Sequence, residues 1–178
     1  MKVKELKIKD TFLITLNPFR DERGFFVKTF QQSVFQKDVS ERETKEEFYS
    51  LSYKNVLRGM HLQLPPADSF KSVSCISGTI LDVLIDLRKN SPTYLTVDSI
   101  ELTGDQPRVV HMPAGVAHGF LTLSEQALMV YRVGSEHVPH LDSGIFWNSI
   151  PFEWPVKKPI LSERDRRLTP LEHFKSTF

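Results

Sequence analysis

The stretch that decides the fold is ILDVLIDL, residues 80–87 of the 178-residue chain. Its odd-numbered side chains are all apolar, whereas Asp82 and Asp86 interrupt the even-numbered ones. Successive side chains of a β-strand point to opposite faces, so this period of two predicts a strand with one wholly apolar face. The stretch therefore predicts a β-sheet in the middle of the chain.

Short runs of similar character recur on both sides of this strand. They cover residues 12–16, 25–30, 94–100, 108–112 and 128–133. Turn-forming residues such as Asn17-Pro18 and Gly104-Asp105 separate them. Many short strands without long intervening helices predict an all-β antiparallel sandwich or barrel. We expect short helices at residues 31–38 and from Ser162, a charged loop at residues 40–47, and one domain spanning residues 1–178.

The composition excludes several classes of protein. Lysine and arginine number 23 against 22 acidic residues, so no global positive charge predicts nucleic-acid or membrane-surface binding. No apolar run approaches the roughly 20 residues of a membrane-spanning helix. The N-terminal MKVKELK lacks the apolar centre of a signal peptide, and the single cysteine, Cys75, precludes an intrachain disulfide. We therefore expect a cytoplasmic protein with no nucleic-acid or membrane partner.

Residues 56–63, VLRGMHLQ, and Lys71 combine groups that suit an anionic substrate and a proton transfer. Arginine and lysine complement phosphate, and imidazole changes charge near neutral pH. In a strand, His61 would share a face with Gln63. A lone histidine is more often structural or solvated, and Lys71 alone would be an ordinary solvated lysine. Arg58 beside them makes an enzyme the better interpretation.

Three further candidates lie downstream. Residues 113–120, PAGVAHGF, form a turn that presents His118 between small residues, although a histidine that ends a strand is an equal alternative. Tyr131 lies in a strand, where a core tyrosine is the ordinary interpretation. Ser162 and Asp165 have the spacing of a helix cap, but a carboxylate can also orient a distant histidine.

Together these motifs resemble the dTDP-4-dehydrorhamnose 3,5-epimerase family of nucleotide-sugar enzymes. The matching blocks keep the same order along nearly the whole chain. They are residues 21–26, 56–63, 71, 78–88, 91–94, 113–120, 131, 144–148 and 161–165. The resemblance implies a cupin-like jelly roll that acts as a homodimer on a nucleotide sugar, with neither a metal nor an organic cofactor.

The resemblance also implies a role for each matching residue. The catalytic set is His61 as general base, Asp165 as its orienting partner, Tyr131 as the acid on the opposite face and Lys71 beside the C4 carbonyl oxygen. The pyrophosphate and substrate contacts are Arg58, His118 and Arg164. The residues of a segment that reaches the neighbouring subunit's site are Arg23, Phe25 and Phe26.

The implied reaction requires these residue types. A proton beside a ketone is acidic only because the resulting charge spreads onto oxygen as an enolate, so the site needs a base and a nearby cation. His61 and Lys71 fit those needs. Inversion then requires a proton donor on the opposite face, for which Tyr131 is suited, while Asp165 would stabilise the imidazolium.

The chain departs from the family pattern at the nucleotide end. The departures are Lys28 for a glutamate, Glu46-Glu47-Phe48 for Gln-Asp-Asn, His137 for a tyrosine and Asp142 for a glutamate. A cation in place of a carboxylate inverts the hydrogen-bonding pattern offered to a base. We therefore add Lys28, Glu47 and Asp142 to the predicted substrate- or nucleotide-binding residues, together with Gln63, which shares a strand face with His61. The sugar, a hexose or a heptose of surface polysaccharide or deoxysugar biosynthesis, would be carried by GDP, CDP or dTDP.

Two other classes stay open. A metal-dependent cupin isomerase or dioxygenase would use His61, His118 and His111, but Gln63 stands where a second histidine is expected, and an amide is a poor ligand for iron or zinc. A non-catalytic sugar-nucleotide binding module would not require an acid and a base on opposite faces of a ring. Metal analysis and proton exchange in deuterated water distinguish these alternatives.

Overall fold

Two antiparallel sheets facing each other form the fold, as described by a computed structural model for residues 1–38 and 43–178. The six-stranded sheet contains, in spatial order, β1 (Lys2–Glu5), β2 (Phe12–Thr15), β10 (Arg108–Met112), β7 (Lys71–Ser77), β12 (Gln126–Val133) and β5 (Glu46–Tyr53). The five-stranded sheet contains β13 (Asp142–Gly144), β6 (Leu57–Gln63), β11 (Val116–Thr122), β8 (Thr79–Asp86) and β9 (Val97–Thr103). The predicted all-β jelly-roll architecture is confirmed.

The remaining elements are short. They are the hairpin of β3 (Phe19–Asp21) and β4 (Gly24–Phe26), α1 (Gln32–Asp38), α2 (Glu163–Arg166) and two 3₁₀ turns at Trp147–Ser149 and Leu171–His173. Ser162 caps α2, because its hydroxyl oxygen accepts a hydrogen bond from the Asp165 amide at 3.0 Å. No helix in the described part of the chain has the length and apolar character needed to cross a bilayer.

Both faces of β8 are buried, which explains its unusual sequence. On the wholly apolar face, Val83 and Ile85 pack in a cluster with Trp147 and Trp154 from the C-terminal part of the chain. The other face looks into the space between the two sheets. There Ile80 and Leu84 join a cluster with residues of β7 and β12. The C-terminal segment thus covers the outer face of the five-stranded sheet, and the mixed face of β8 is the interior one.

The two aspartates of β8 are buried because each has polar partners on that interior face. Asp86 accepts hydrogen bonds from Arg88, Ser91 and Thr93 at 2.6–2.9 Å, which fixes the turn into β9. Asp82 contacts His118 across the strand pair β8–β11. Asp86 therefore supports the fold, and Asp82 orients His118.

Gly59 brings Arg58 and His61 to the same side of β6. Regular alternation would separate these side chains, but Gly59 has φ +131° and the β6–β11 register shifts between His118 and Phe120. A Cβ atom at Gly59 would lie 2.4 Å from the Cα atom of Gly119, so a larger residue cannot fit. Gly59 therefore permits the irregularity in β6 that directs Arg58 and His61 to the same side of the strand.

Three predicted boundaries differ from the structure. The strand expected at residues 25–30 ends at Phe26, because Val27 and Phe30 leave the hairpin to pack with Phe35 of α1. The strand expected at residues 94–100 begins at Val97, after a turn in which Leu95 has φ 62°. The loop expected at residues 40–47 is partly outside the described residues, and its last two residues begin β5.

Candidate active site

A cavity of about 470 Å³ opens between the two sheets. One wall belongs to the five-stranded sheet and carries His61 and His118, and we call it the imidazole wall. The opposite wall belongs to the six-stranded sheet and carries Lys71 and Tyr131, and we call it the phenol wall. The volume lies within the range of small-molecule sites, and convergent polar groups make it the best site candidate.

On the imidazole wall, His61 forms a close pair with Asp165. The His61 Nε2 atom lies 2.6 Å from Oδ1 of Asp165, which α2 presents from its buried side. Burial lowers the pKa of His61 below its ordinary value, although the bond to Asp165 opposes the shift. Burial opposes ionisation of Asp165 as well, but His61 and Arg164 leave the pKa of its carboxyl below the usual range. The pair thus combines a neutral imidazole with an ionised carboxylate near neutral pH.

A second imidazole–carboxylate pair lies beside the first. His118 and His61 are cross-strand neighbours in β11 and β6. The His118 Nε2 atom lies 2.6 Å from Oδ1 of the fully buried Asp82. Both histidines are therefore oriented by aspartates, so their other ring nitrogens are available to the cavity.

Lys71 begins β7 on the phenol wall, where its side chain is partly buried and lines the cavity. Burial lowers the pKa of Lys71 to about 8, and the carboxylates of Asp142 and Asp82 oppose part of that shift. No carboxylate within residues 1–38 and 43–178 lies within salt-bridge distance of its amine. Lys71 thus offers a poorly solvated positive charge to a ligand oxygen.

Tyr131 lies on β12, and strand β5 supports it at two points. Its hydroxyl is 2.9 Å from the Ser50 hydroxyl, and its ring stacks on Phe48 with centroids 4.8 Å apart. The edge of the ring also meets His118 at a centroid distance of 6.5 Å. Burial raises the pKa of Tyr131 well above its ordinary value, so the phenol stays protonated at physiological pH.

Two arginines line the entrance to the cavity. Arg58 donates from Nε to the Ser52 hydroxyl at 2.9 Å, which leaves part of the guanidinium facing the cavity. Arg164 donates to Asp142 Oδ1 at 2.6 Å. The other oxygen of Asp142 is 3.2 Å from the imidazole of His137. Two guanidinium groups on the lining of one cavity suit the phosphates of an anionic ligand.

Gln63 lines the cavity, but its amide mainly holds a loop. Its Nε2 atom donates to the Ser135 hydroxyl at 2.9 Å, and its Oε1 atom accepts from the Val138 amide at 2.7 Å. The same nitrogen also contacts the carbonyls of Ala67 and Glu136. Gln63 therefore fixes the segment that carries His137.

The structure brings most of the predicted residues to this cavity and leaves five away from it. Arg58, His61, Gln63, Lys71, His118, Tyr131, Asp142 and Arg164 line the cavity, and Asp165 contacts His61. Arg23, Phe25, Phe26, Lys28 and Glu47 do not line it. Glu47 points away because β5 alternates, which directs Glu46, Phe48 and Ser50 inward instead.

The ligand set of the metal-dependent alternative is not gathered in one place. His111 lies on β10, where its Nδ1 atom is 2.9 Å from the Ser72 hydroxyl and its ring stacks on Phe70. It does not line the cavity with the other two histidines. Among the described residues, no group of three or more His, Cys, Asp or Glu side chains is arranged to hold a metal ion.

Asp82 and Ser50 are functional candidates that the sequence analysis did not assign. Asp82 was visible as a charged residue within an apolar strand, which signals a buried partner. Ser50 belongs to a strictly alternating run, YSLSY, at residues 49–53. That period of two could have revealed β5.

Comparison with known proteins gives consistent results. The profile of the family described as dTDP-4-dehydrorhamnose 3,5-epimerase matches residues 5–173. The dTDP-4-dehydrorhamnose 3,5-epimerase of Shigella flexneri is 39% identical over 168 residues, which cover 93% of each chain.

Solved structures agree with the sequence comparison. A dTDP-6-deoxy-D-glucose-3,5-epimerase of Legionella pneumophila in complex with dTDP-4-keto-L-rhamnose is 29% identical, with a TM-score of 0.92. The match covers 98% of this chain and 94% of that chain. A 3'-monoepimerase of Streptomyces bikiniensis in complex with dTDP-quinovose is 25% identical, with a TM-score of 0.88, and the match covers 94% and 86% of the two chains.

Proposed function

The chain belongs to the dTDP-4-dehydrorhamnose 3,5-epimerase family and is an isomerase, and on that premise we propose that it inverts C3, C5 or both in a nucleotide-linked 4-keto-6-deoxy sugar. The observation that carries the proposal is the placement of His61 and Tyr131 on opposite walls of one cavity. A sugar ring between the walls would lose a proton to one of them and gain a proton from the other.

His61 is proposed as the base. With Nε2 donating to Asp165, the unprotonated nitrogen is Nδ1, which can accept the carbon-bound proton. The lowered pKa keeps the imidazole neutral before the reaction, and the Asp165 carboxylate stabilises the imidazolium that forms. The His61–Asp165 pair therefore suits the neutral base before the transfer and the imidazolium after it.

Lys71 is proposed to stabilise the enolate oxygen. A pKa of about 8 leaves the amine mostly protonated at pH 7, and its poor solvation strengthens its attraction to a developing negative charge. Tyr131 then supplies a proton from the other side of the ring. The reaction neither consumes nor releases a proton overall, because His61 returns its proton to solvent and Tyr131 regains one.

The phosphates are proposed to bind at the entrance. Arg58 and Arg164 line the cavity and offer donors, and Arg164 is shared with Asp142. This shared arginine makes Asp142 and His137 part of the substrate-binding surface, where the chain departs from the family pattern. His118, whose Nε2 atom is held by Asp82, can contact the substrate through its Nδ1 atom as an acceptor.

One cavity built from both sheets also supports the proposal that residues 1–178 act as a single domain.

We further propose that the nucleotide is not restricted to dTDP and that GDP or CDP is accepted, with either a hexose or a heptose as the sugar. The support is the change of residue type at His137 and Asp142, which line the cavity, and at Lys28, two residues beyond the hairpin that is proposed to reach the neighbouring site. Glu47 points away from the cavity and adds no support. Calorimetric titration with GDP, CDP, UDP and dTDP tests it. A clear preference for dTDP would reject the altered recognition while leaving the epimerase proposal intact.

A homodimer is proposed in which the β3–β4 hairpin reaches the neighbouring site. Phe25 and Phe26 are 53% and 65% exposed. Apolar side chains of the edge strand β5, including Tyr49 and Tyr53, are also exposed. Such apolar surface is typical of a protein interface. Light scattering should give twice the chain mass, and a monomer at working concentration would contradict the proposal.

The direct test of the epimerase proposal is incubation with a panel of 4-keto nucleotide sugars in deuterated water, followed by NMR. We expect solvent deuterium at C3, C5 or both of at least one sugar, with inverted configuration at the labelled carbon. Binding of every sugar without any exchange would instead favour the non-catalytic binding module.

A further inference from the structure

Strand β5 places a hydroxyl directly on the phenolic oxygen of Tyr131. Phe48 is the cross-strand partner of Tyr131 and stacks on its ring at an interplanar angle of 13°. Ser50, two residues further along the same face, lies 2.9 Å from the Tyr131 hydroxyl. Stacking fixes the plane of the ring, and the hydrogen bond fixes the position of its oxygen.

We propose that Ser50 is a positioning residue for inversion, which donates its hydroxyl hydrogen to the Tyr131 oxygen and so directs the phenolic hydrogen towards the substrate. The inference rests on the proposed function. It deepens that function because it assigns the hydrogen bond that determines which way Tyr131 delivers its proton.

The direction of the bond follows from the chemistry. Each hydroxyl can donate one hydrogen bond, so a Tyr131 hydrogen spent on Ser50 would be unavailable to the substrate. When Tyr131 gives its proton to the enolate carbon, its O–H bond breaks, a C–H bond forms and a phenolate remains. The bond from Ser50 then becomes charge-assisted and strengthens as the negative charge develops. Ser50 therefore stabilises the transition state of reprotonation more than the resting phenol.

Ser52 provides a matched comparison on the same strand and face. Its hydroxyl accepts a hydrogen bond from Arg58 at 2.9 Å, whereas the Tyr131 hydroxyl pairs with Ser50. Removing either hydroxyl changes β5 by one oxygen atom. Only the loss at Ser50 should affect proton delivery, whereas the loss at Ser52 should affect the placement of the arginine at the entrance.

The experiment compares Ser50→Ala, Ser50→Thr and Ser52→Ala in deuterated water with a substrate that the wild-type protein epimerises. NMR measures two rates: deuterium entry into recovered substrate of unchanged configuration, and formation of the inverted product. The rate of exchange with retention measures proton removal and return by His61. The rate of inversion also depends on proton donation by Tyr131. The ratio of the two rates therefore isolates the step that Ser50 serves, and damage to the fold alone would lower both rates together.

We expect Ser50→Ala to slow inversion roughly 10- to 100-fold, the effect of losing a hydrogen bond to a charged group, while exchange with retention persists. Ser50→Thr keeps the hydroxyl and should restore the wild-type ratio. Ser52→Ala should raise KM and leave the ratio unchanged. An unchanged ratio in Ser50→Ala would overturn the inference, whereas a wild-type protein without any exchange would overturn the proposed function itself.

Discussion

The two walls of the cavity hold their ionisable groups in different ways. On the imidazole wall, His61 and His118 are each paired with an aspartate at 2.6 Å. On the phenol wall, no carboxylate of the described residues forms an ion pair or hydrogen bond with Lys71 or Tyr131, and burial lowers the pKa of Lys71 to about 8 and raises that of Tyr131. Paired carboxylates prepare a group to take up positive charge, whereas burial keeps a phenol neutral. The difference assigns proton acceptance to one wall and proton donation to the other.

The largest expected effect comes from breaking the imidazole wall at its base. His61→Ala should reduce both deuterium exchange and inversion by at least the roughly 10²- to 10⁴-fold that a positioned acid–base group contributes. NMR in deuterated water measures both rates, and calorimetry with the preferred nucleoside diphosphate checks that the cavity still forms. Retention of more than a tenth of the wild-type exchange would show that another group is the base.

Removing the cation from the phenol wall should have the next largest effect. Lys71→Met should lower kcat roughly 10²- to 10³-fold, the range found for a lost group that stabilises an oxyanion. Because burial disfavours the charged amine in the folded state, the melting temperature should stay the same or rise. A Lys71→Met protein with an unchanged or higher melting temperature and a lower kcat would show that Lys71 acts in catalysis and is not needed for the fold.

The pH profile of the same variant sharpens this prediction. Lys71 must be charged to stabilise an enolate, so wild-type kcat/KM should fall as the pH rises through about 8. The alkaline limb should be absent in Lys71→Met. A limb at the same pH in both proteins would assign it to a different group.

Breaking the pair that orients His61 should have a smaller effect. Asp165→Asn removes one charge-assisted hydrogen bond and should lower kcat/KM roughly 10- to 100-fold. Asp165 raises the pKa of His61, so its loss should move the acidic limb of the pH profile to lower pH. Rate measurements between pH 5 and 8 would test both outcomes, and an acidic limb that moved to higher pH would contradict the assigned pairing.

The interior strand and the imidazole wall were largely predictable from sequence. The alternation in residues 80–87 identified β8, and the spacing of residues 56–63 placed His61 and Gln63 on one face. The family resemblance linked Asp165 to His61, a pair 104 residues apart that no local pattern connects. Arg58 reaches the same cavity only because Gly59 interrupts the strand, which alternation alone cannot show.

The phenol wall was harder to predict because the polarity of β5 is reversed. Its inward residues include Ser50 and Ser52, whereas its outward residues Tyr49, Leu51 and Tyr53 are aromatic or apolar and exposed. A sequence pattern assigns apolar side chains to the core, so this strand would be oriented wrongly even if it were recognised. The cavity explains the polar inner face, and the proposed dimer would explain the apolar outer one.

The most direct test of the two-wall account is Tyr131→Phe in deuterated water, with both rates followed by NMR. The account predicts that deuterium still enters recovered substrate of unchanged configuration, because His61 and Lys71 remain, while inverted product forms at least roughly 10²-fold more slowly. Formation of inverted product at the wild-type rate would contradict it, because the proton would then reach the far face of the sugar without the phenol wall.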